Sequence, residues 1–270
     1  MGPFSSLSLD SLAVFPLRAP RPLRLSFLLC LALMALFVRP ETVRGAETRK
    51  EAAGGPRAEK YSYEAVPVNL PTGPKDLVEM EVTETEEGIE YYSKVISRDS
   101  TEEASIQMDR KARFLTGTRS AFQSPDKPVS RERIWRDRNA VVVERVTEEG
   151  IKRKEHRLRP DRELAVDGSL LALLRFFPFG EEKVWNLFMV DFSGYSISVM
   201  VLQEGREKIT VPAGKFECYR LVLVVNIPIL KPTVTYWLWT QKPHFLVKHQ
   251  GKRGPFTPSY TTSLVSFQHR

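Results

Sequence analysis

Between residues 78 and 267 apolar and polar side chains alternate in step, and no other feature of the chain narrows its fold as far. Successive side chains of a strand point to opposite faces, so a period of two marks a strand with one dry and one wet side. Val78, Met80 and Val82 alternate with Glu79, Glu81 and Thr83, Glu86-Glu87-Gly88 turns the chain, and residues 89–96 return as a second strand. Residues 104–114 are a third candidate, and 124–129 (SPDKPV) reads as a loop. VVVERV (141–146) and IKRKEHRL (151–158) form a hairpin across Glu148-Glu149-Gly150. A meander follows over 195–202, 207–211, 216–227, 233–241, 245–249 and 260–268, which brings the expectation to ten to twelve strands. One helix interrupts them, with Asp167 as N-cap, residues 168–177 as its body, and Pro178 and Gly180 as its stop. Its apolar residues cover almost the whole circumference, so it must be buried as a plug or cap. The expected fold class is all-β, an antiparallel β-barrel or strongly curved sheet with one short buried helix.

The N-terminus carries a different signal. Residues 25–38 (LSFLLCLALMALFV) form an apolar run of fourteen residues, preceded by Arg18, Arg21 and Arg24 and followed by Arg39 and Pro40. A membrane-spanning helix needs about 20 apolar residues and a secretory core only about 7–15. Residues 1–45 therefore read as a signal peptide cleaved before Ala46. Arg44 in the cleavage region leaves an uncleaved membrane anchor as the other reading, while the large Leu29 before Cys30 argues against lipidation. Residues 46–74, small, polar and punctuated by Pro67, Pro71 and Pro74, read as a flexible lead-in to a single domain over 75–270. Residues 1–45 hold five basic and two acidic side chains, so the processed chain keeps 35 Lys+Arg against 31 Asp+Glu. That mild excess falls short of a nucleic-acid footprint, and no nucleic-acid partner is expected. Cys218 is then the sole cysteine, a buried structural thiol in a strand-like context, and no internal disulfide can form.

A search for reactive groups yields little. His244 and His249 are five residues apart in a strand and face opposite ways, His269 is terminal, and each histidine including His156 reads as solvated or in a turn. There is no HExxH motif, Cys/His cluster, nucleophile elbow or phosphate loop, and Ser169 suits a helix start better than a nucleophile. The acids Asp161, Glu163 and Asp167 precede a helix, whose dipole they complement. No catalytic residue, cofactor or metal is expected, and the chain does not read as an enzyme.

Two features point elsewhere. Residues 109–162 hold sixteen basic against nine acidic side chains, and Arg131, Arg133, Lys152, Arg153, Lys154, Arg157 and Arg159 fit one basic stripe. Such a stripe is either a salt-bridged solvent face or an attractor for anionic headgroups or an acidic glycan. Trp237 and Trp239 share one strand face while Tyr236 and Leu238 share the other, and Phe176, Phe177, Phe179, Trp185, Phe188 and Met189 cluster around the helix. Strands apolar on both faces belong to a covered sheet or to a barrel enclosing an apolar cavity.

The opening DGSLL (167–171), the turn and strand ITVPAGKFECYRL (209–221), the segment TYWLWTQKPHFLVKHQG (235–251) and the last strand ending at Phe267 together carry a resemblance. They resemble an exported bacterial, Gram-negative periplasmic family of domains of unknown function, with Gly168 as a departure at the helix start. The resemblance covers about 100 C-terminal residues. It implies a β-barrel-like periplasmic protein and assigns no activity. The combined expectation is a binder or chaperone of an apolar or amphipathic, lipid-like envelope component. Trp237, Trp239, Phe176, Phe177, Arg153 and Arg157 are its candidate ligand residues. The other expectation is a structural or protein-interaction module of an envelope complex.

Overall fold

A computed structural model describes residues 57–124, 127–180, 183–225, 232–252 and 259–269; the expected signal peptide and residues 46–56 lie outside them. Fifteen strands form one sheet: β1 (Arg57–Pro67), β2 (Asp76–Glu84), β3 (Gly88–Ser97), β4 (Ser100–Asp109), β5 (Phe114–Ser124), β6 (Lys127–Asp137), β7 (Ala140–Thr147), β8 (Gly150–Arg157), β9 (Glu163–Val166), β10 (Val184–Val190), β11 (Ser196–Val211), β12 (Gly214–Val225), β13 (Thr233–Trp239), β14 (Leu246–Lys252) and β15 (Ser259–His269). The spatial order is β8-β7-β6-β5-β4-β3-β2-β1-β15-β14-β13-β12-β11-β10-β9. All pairs are antiparallel except β9–β10, which are parallel and joined through the helix α1 (Leu170–Leu174). The expected all-β fold with a strongly curved sheet and one short buried helix is what forms.

Several boundaries differ from expectation. Of the expected flexible lead-in over 46–74, the stretch Arg57–Pro67 is strand β1, which lies mid-sheet between β2 and β15. Tyr61, Tyr63 and Ala65 point to the buried face, with Tyr63 opposite Val78 on one side and Leu264 on the other. The third strand stops at Asp109, whose Oδ1 accepts the Lys111 and Arg113 N–H groups at 2.9 Å and folds a turn there. Where a loop was expected, β6 begins at Lys127. The helix is shorter than expected and Asp167 does not cap it: Ser169 is its N-cap residue, and Asp167 is buried against Arg119. The all-round apolar character still holds, since every residue from Leu170 to Leu174 is buried.

The strands bury Val78, Tyr91, Ile106, Ile134 and Leu187 toward the inside of the curve, where α1 packs. In β12 burial changes side along the strand. Phe216 and Cys218 are buried on one face and Leu221 and Leu223 on the other, with Glu217 and Arg220 exposed between them. The turn that starts β12 needs Gly214, whose φ of 133° disfavours any side chain. The two edge strands, β8 and β9, form no backbone ladder with each other. The loop after β10 meets β8 instead, folded around Asp191, which accepts the Ser193 and Tyr195 N–H groups at 3.0 and 2.7 Å. From β8, Lys154 Nζ donates to the Gly194 carbonyl at 3.2 Å and His156 Nε2 lies 3.1 Å from the same oxygen.

Candidate functional site: an arginine cleft at one end of the sheet

At the unclosed seam a cleft of about 780 Å³ lies between the start of β5, the β6–β7 turn, the β8–β9 connection and the start of β10. Its wall carries five arginines, Arg113, Arg136, Arg157, Arg159 and Arg162, against two acids, Asp161 and Glu163. Phe114, Leu158, Leu164, Val184 and Trp185 supply an apolar side. A second cleft of about 520 Å³ shares the connection from Arg157 to Asp161, so that segment has an opening on either side. The five arginines differ in what they already hold. Arg113 pairs with Asp109 at 2.6 Å and Arg162 with Asp161 at 3.4 Å. The Arg159 guanidinium lies 5.5 Å from the centre of the Phe188 ring. Among the described residues no ion pair engages Arg136, Arg157 or Arg159. Burial raises the Glu163 pKa, and a hydrogen bond with Trp185 partly offsets this. The cleft as it stands is an electropositive groove with one greasy wall, suited to an anion attached to an apolar group.

The expected ligand residues do not come together. Arg157 lines the cleft, while Arg153 lies on the outer face, where it and Arg133 flank Trp135 at 5.5 and 5.4 Å from the ring centre. The single basic stripe is divided, because Lys152 and Lys154 project from the opposite face of β8 to Arg153 and Arg157. Trp237 is buried, donates its Nε1–H to Glu207 and sits under Lys248, so it is a packing residue. Trp239 belongs to an aromatic cluster with Phe216, Phe245 and Phe267. Phe177 is buried against Phe179 and Trp185, whereas Phe176 is exposed. None of these four aromatic residues lines either cleft. Sequence reading missed Arg113, Arg136, Arg162 and Trp185 as one group. The available signal was that each lies at a strand end or in a connection.

Of the two neighbouring histidines, His249 departs from the expected solvated or turn setting and His244 keeps a turn setting. His249 is buried against Tyr236, with ring centres 5.0 Å apart, so it is not solvated. His244 precedes β14 in place of a strand position, holding the Trp239 carbonyl at 3.0 Å, and burial lowers its pKa. Cys218 is fully buried as expected, and burial pushes its pKa up to about 12, which keeps the thiol protonated.

Two groups of buried charges went unforeseen. Arg119, 7% exposed, lies 3.3 Å from Glu132 and 3.9 Å from both Glu102 and Asp167, and Arg145 approaches Glu132 at 3.1 Å. This group ties β4, β5, β6 and β7 to the residue that follows β9. Burial, reinforced by the neighbouring Asp167 and Glu132 charges against the opposing pull of Arg119, raises the Glu102 pKa to about 7. In the second group Glu59 accepts hydrogen bonds from Tyr61 and Arg175, both 2.6 Å, fixing the residue after α1 to β1. Burial alone would raise the Glu59 pKa; the nearby His269 ring, the Arg175 charge and the Tyr61 hydroxyl bring it down to about 2.

No family model matches the chain, and neither does any curated protein. Among solved structures, a β-barrel-like protein of a domain of unknown function from Brucella abortus aligns over 80% of this chain and 98% of its own, with TM-score 0.55 at 10% identity. That likeness shows the fold. An exported-protein candidate with a YmcC-like fold from Bacteroides fragilis (9% identity, 79% and 95% coverage) and a lipoprotein candidate from Parabacteroides distasonis (11%, 78% and 95%) reach TM-scores of only 0.27 and 0.29. At those scores they carry no argument. The shared β-barrel-like fold with a domain of unknown function agrees with the coarse expectation from the C-terminal motifs, and brings no residue role with it.

Proposed function

We propose that the protein is an exported, periplasmic, non-enzymatic binder or carrier of an anionic amphiphile of the cell envelope. The arginine cleft carries this reading: it places three guanidiniums without an acidic partner among the described residues beside Phe114, Leu158 and Trp185 in one groove. Its volume of about 780 Å³ falls within the range of roughly 300–1,000 Å³ common for small-molecule sites. Export rests on the apolar run at 25–38 and its basic flank. Relation to exported proteins of unknown function rests on the VPAGKFECY turn and the aromatic strands that follow.

Mass spectrometry of material co-purified with the processed protein from an envelope fraction tests the reading. An amphiphile with an acidic group should be recovered from the wild type and depleted in an Arg136→Gln/Arg157→Gln variant. Recovery of no amphiphile, or of equal amounts from both proteins, would refute it.

A further inference from the structure

Resting on the carrier reading, we infer that the cleft selects a phosphate monoester headgroup, a dianion, over a singly charged one. The charge inventory of the wall carries this. Arg113 and Arg162 have carboxylate partners in Asp109 and Asp161, and Glu163 is turned to the Trp185 indole. Arg136 from β6, Arg157 from the end of β8 and Arg159 from the connection have none among the described residues. A monoanion leaves most of that charge uncompensated. A phosphate monoester carries roughly −1.5 to −2 at pH 7 and offers three strong acceptor oxygens. Guanidinium forks bind such oxygens in pairs, with short charge-assisted hydrogen bonds, so three arginines and three oxygens are matched in number and chemistry. Arg136 and Arg157 are exposed and sit on separate strands, so their backbones are held in place by the sheet while their guanidiniums can turn to a ligand, at the cost of ordering two side chains. The wall formed by Phe114, Leu158, Leu164 and Val184 begins beside the same arginines and takes the first part of an attached chain.

Calorimetry with four probes tests the inference on the folded, processed protein: dodecyl phosphate, dodecyl sulfate and dodecyl maltoside, each below its micellar concentration, and inorganic phosphate. Dodecyl phosphate should bind about tenfold more tightly than dodecyl sulfate at pH 8, the scale of one charged hydrogen-bonded contact. Since the second phosphate ionisation lies near pH 6, the preference should disappear at about pH 5. The Arg136→Gln/Arg157→Gln variant should lose the preference at pH 8 while its β-sheet circular dichroism is unchanged. Equal affinity for phosphate and sulfate at pH 8 would overturn the dianion inference and leave the carrier reading standing, whereas equal affinity for the uncharged maltoside would overturn both, because the carrier reading requires an anionic group. Inorganic phosphate binding as tightly as dodecyl phosphate would keep the dianion site and overturn the carrier reading. If no probe binds, both fail.

Discussion

Replacing Glu102 by Gln should make the protein more stable at pH 8 and leave it nearly unchanged at pH 5. Glu102 is one of three carboxylates gathered around Arg119, and its folded-state pKa is about 7 against 4.5 in a solvated chain. A carboxyl with a raised pKa binds its proton more tightly in the folded than in the unfolded state. Stability is therefore fully present below about pH 4.5 and declines as pH rises through 7, where the folded protein must also ionise. At about 1.4 kcal/mol per logarithmic unit the full difference is about 3 kcal/mol. The side chain is 21% exposed, and water reaching it screens part of this, so about 2 kcal/mol is expected. Gln keeps the shape, removes the charge and leaves Arg119 to Glu132 and Asp167. Urea unfolding of the two proteins at pH 5, 6, 7 and 8 reads the effect as a difference that opens with pH. Because other raised acids such as Asp191 titrate equally in both proteins, the difference isolates Glu102. A difference constant across this range, or a wild type more stable than the variant at pH 8, would refute the reasoning.

Three further outcomes follow from the buried groups. Arg175→Ala should cost about 3 kcal/mol in urea unfolding, because it removes the nearest cation from the buried Glu59 carboxylate and leaves it with Tyr61 and the more distant Arg57 and His269, and a Glu59→Gln/Arg175→Met variant should recover most of that loss. Glu59 also sets an acid limit of the opposite sign to Glu102: its lowered pKa contributes stability present above 4.5 and lost as pH falls through about 2, visible as an acid transition that the double variant lacks. Cys218 should resist Ellman's reagent in the native protein and react fully in urea, since its thiol is buried and its pKa is pushed up to about 12.

The periodicity of residues 78–96 and 141–158 was enough to place β2, β3, β7 and β8, because pattern and turn chemistry agree locally there. Strand β1 was not legible: Glu59 sits charged on its buried face, and its second partner, β15, lies about 200 residues away. The charges around Arg119 were hidden for a related reason. In a strand a buried charge breaks the alternation, and only cross-strand register, such as Arg119 opposite Glu132, reveals its partner. The cleft draws on four separate stretches at one end of the sheet, so a stripe along β8 captured Arg157 and Arg159 but not Arg113 or Arg136. Trp237 and Trp239 suggested a cavity because their strand is apolar on both faces; the change of buried side along neighbouring β12 accounts for that without one.

The position of β1 also bears on how the molecule is assembled. Strands consecutive in sequence pair throughout β1–β8 and throughout β9–β15, by antiparallel connections except for the parallel β9–β10 pair, so either half can zip together from local pairings as the chain emerges. The one strand pairing between the two halves among the described residues is β1 with β15, the first and last strands of the sheet. That pairing cannot form until the final eleven-residue strand is present, and a chain cut short before Ser259 would hold two half-sheets, each with a raw central edge. Completion of the fold is thereby made conditional on arrival of the C-terminus, whichever half orders first.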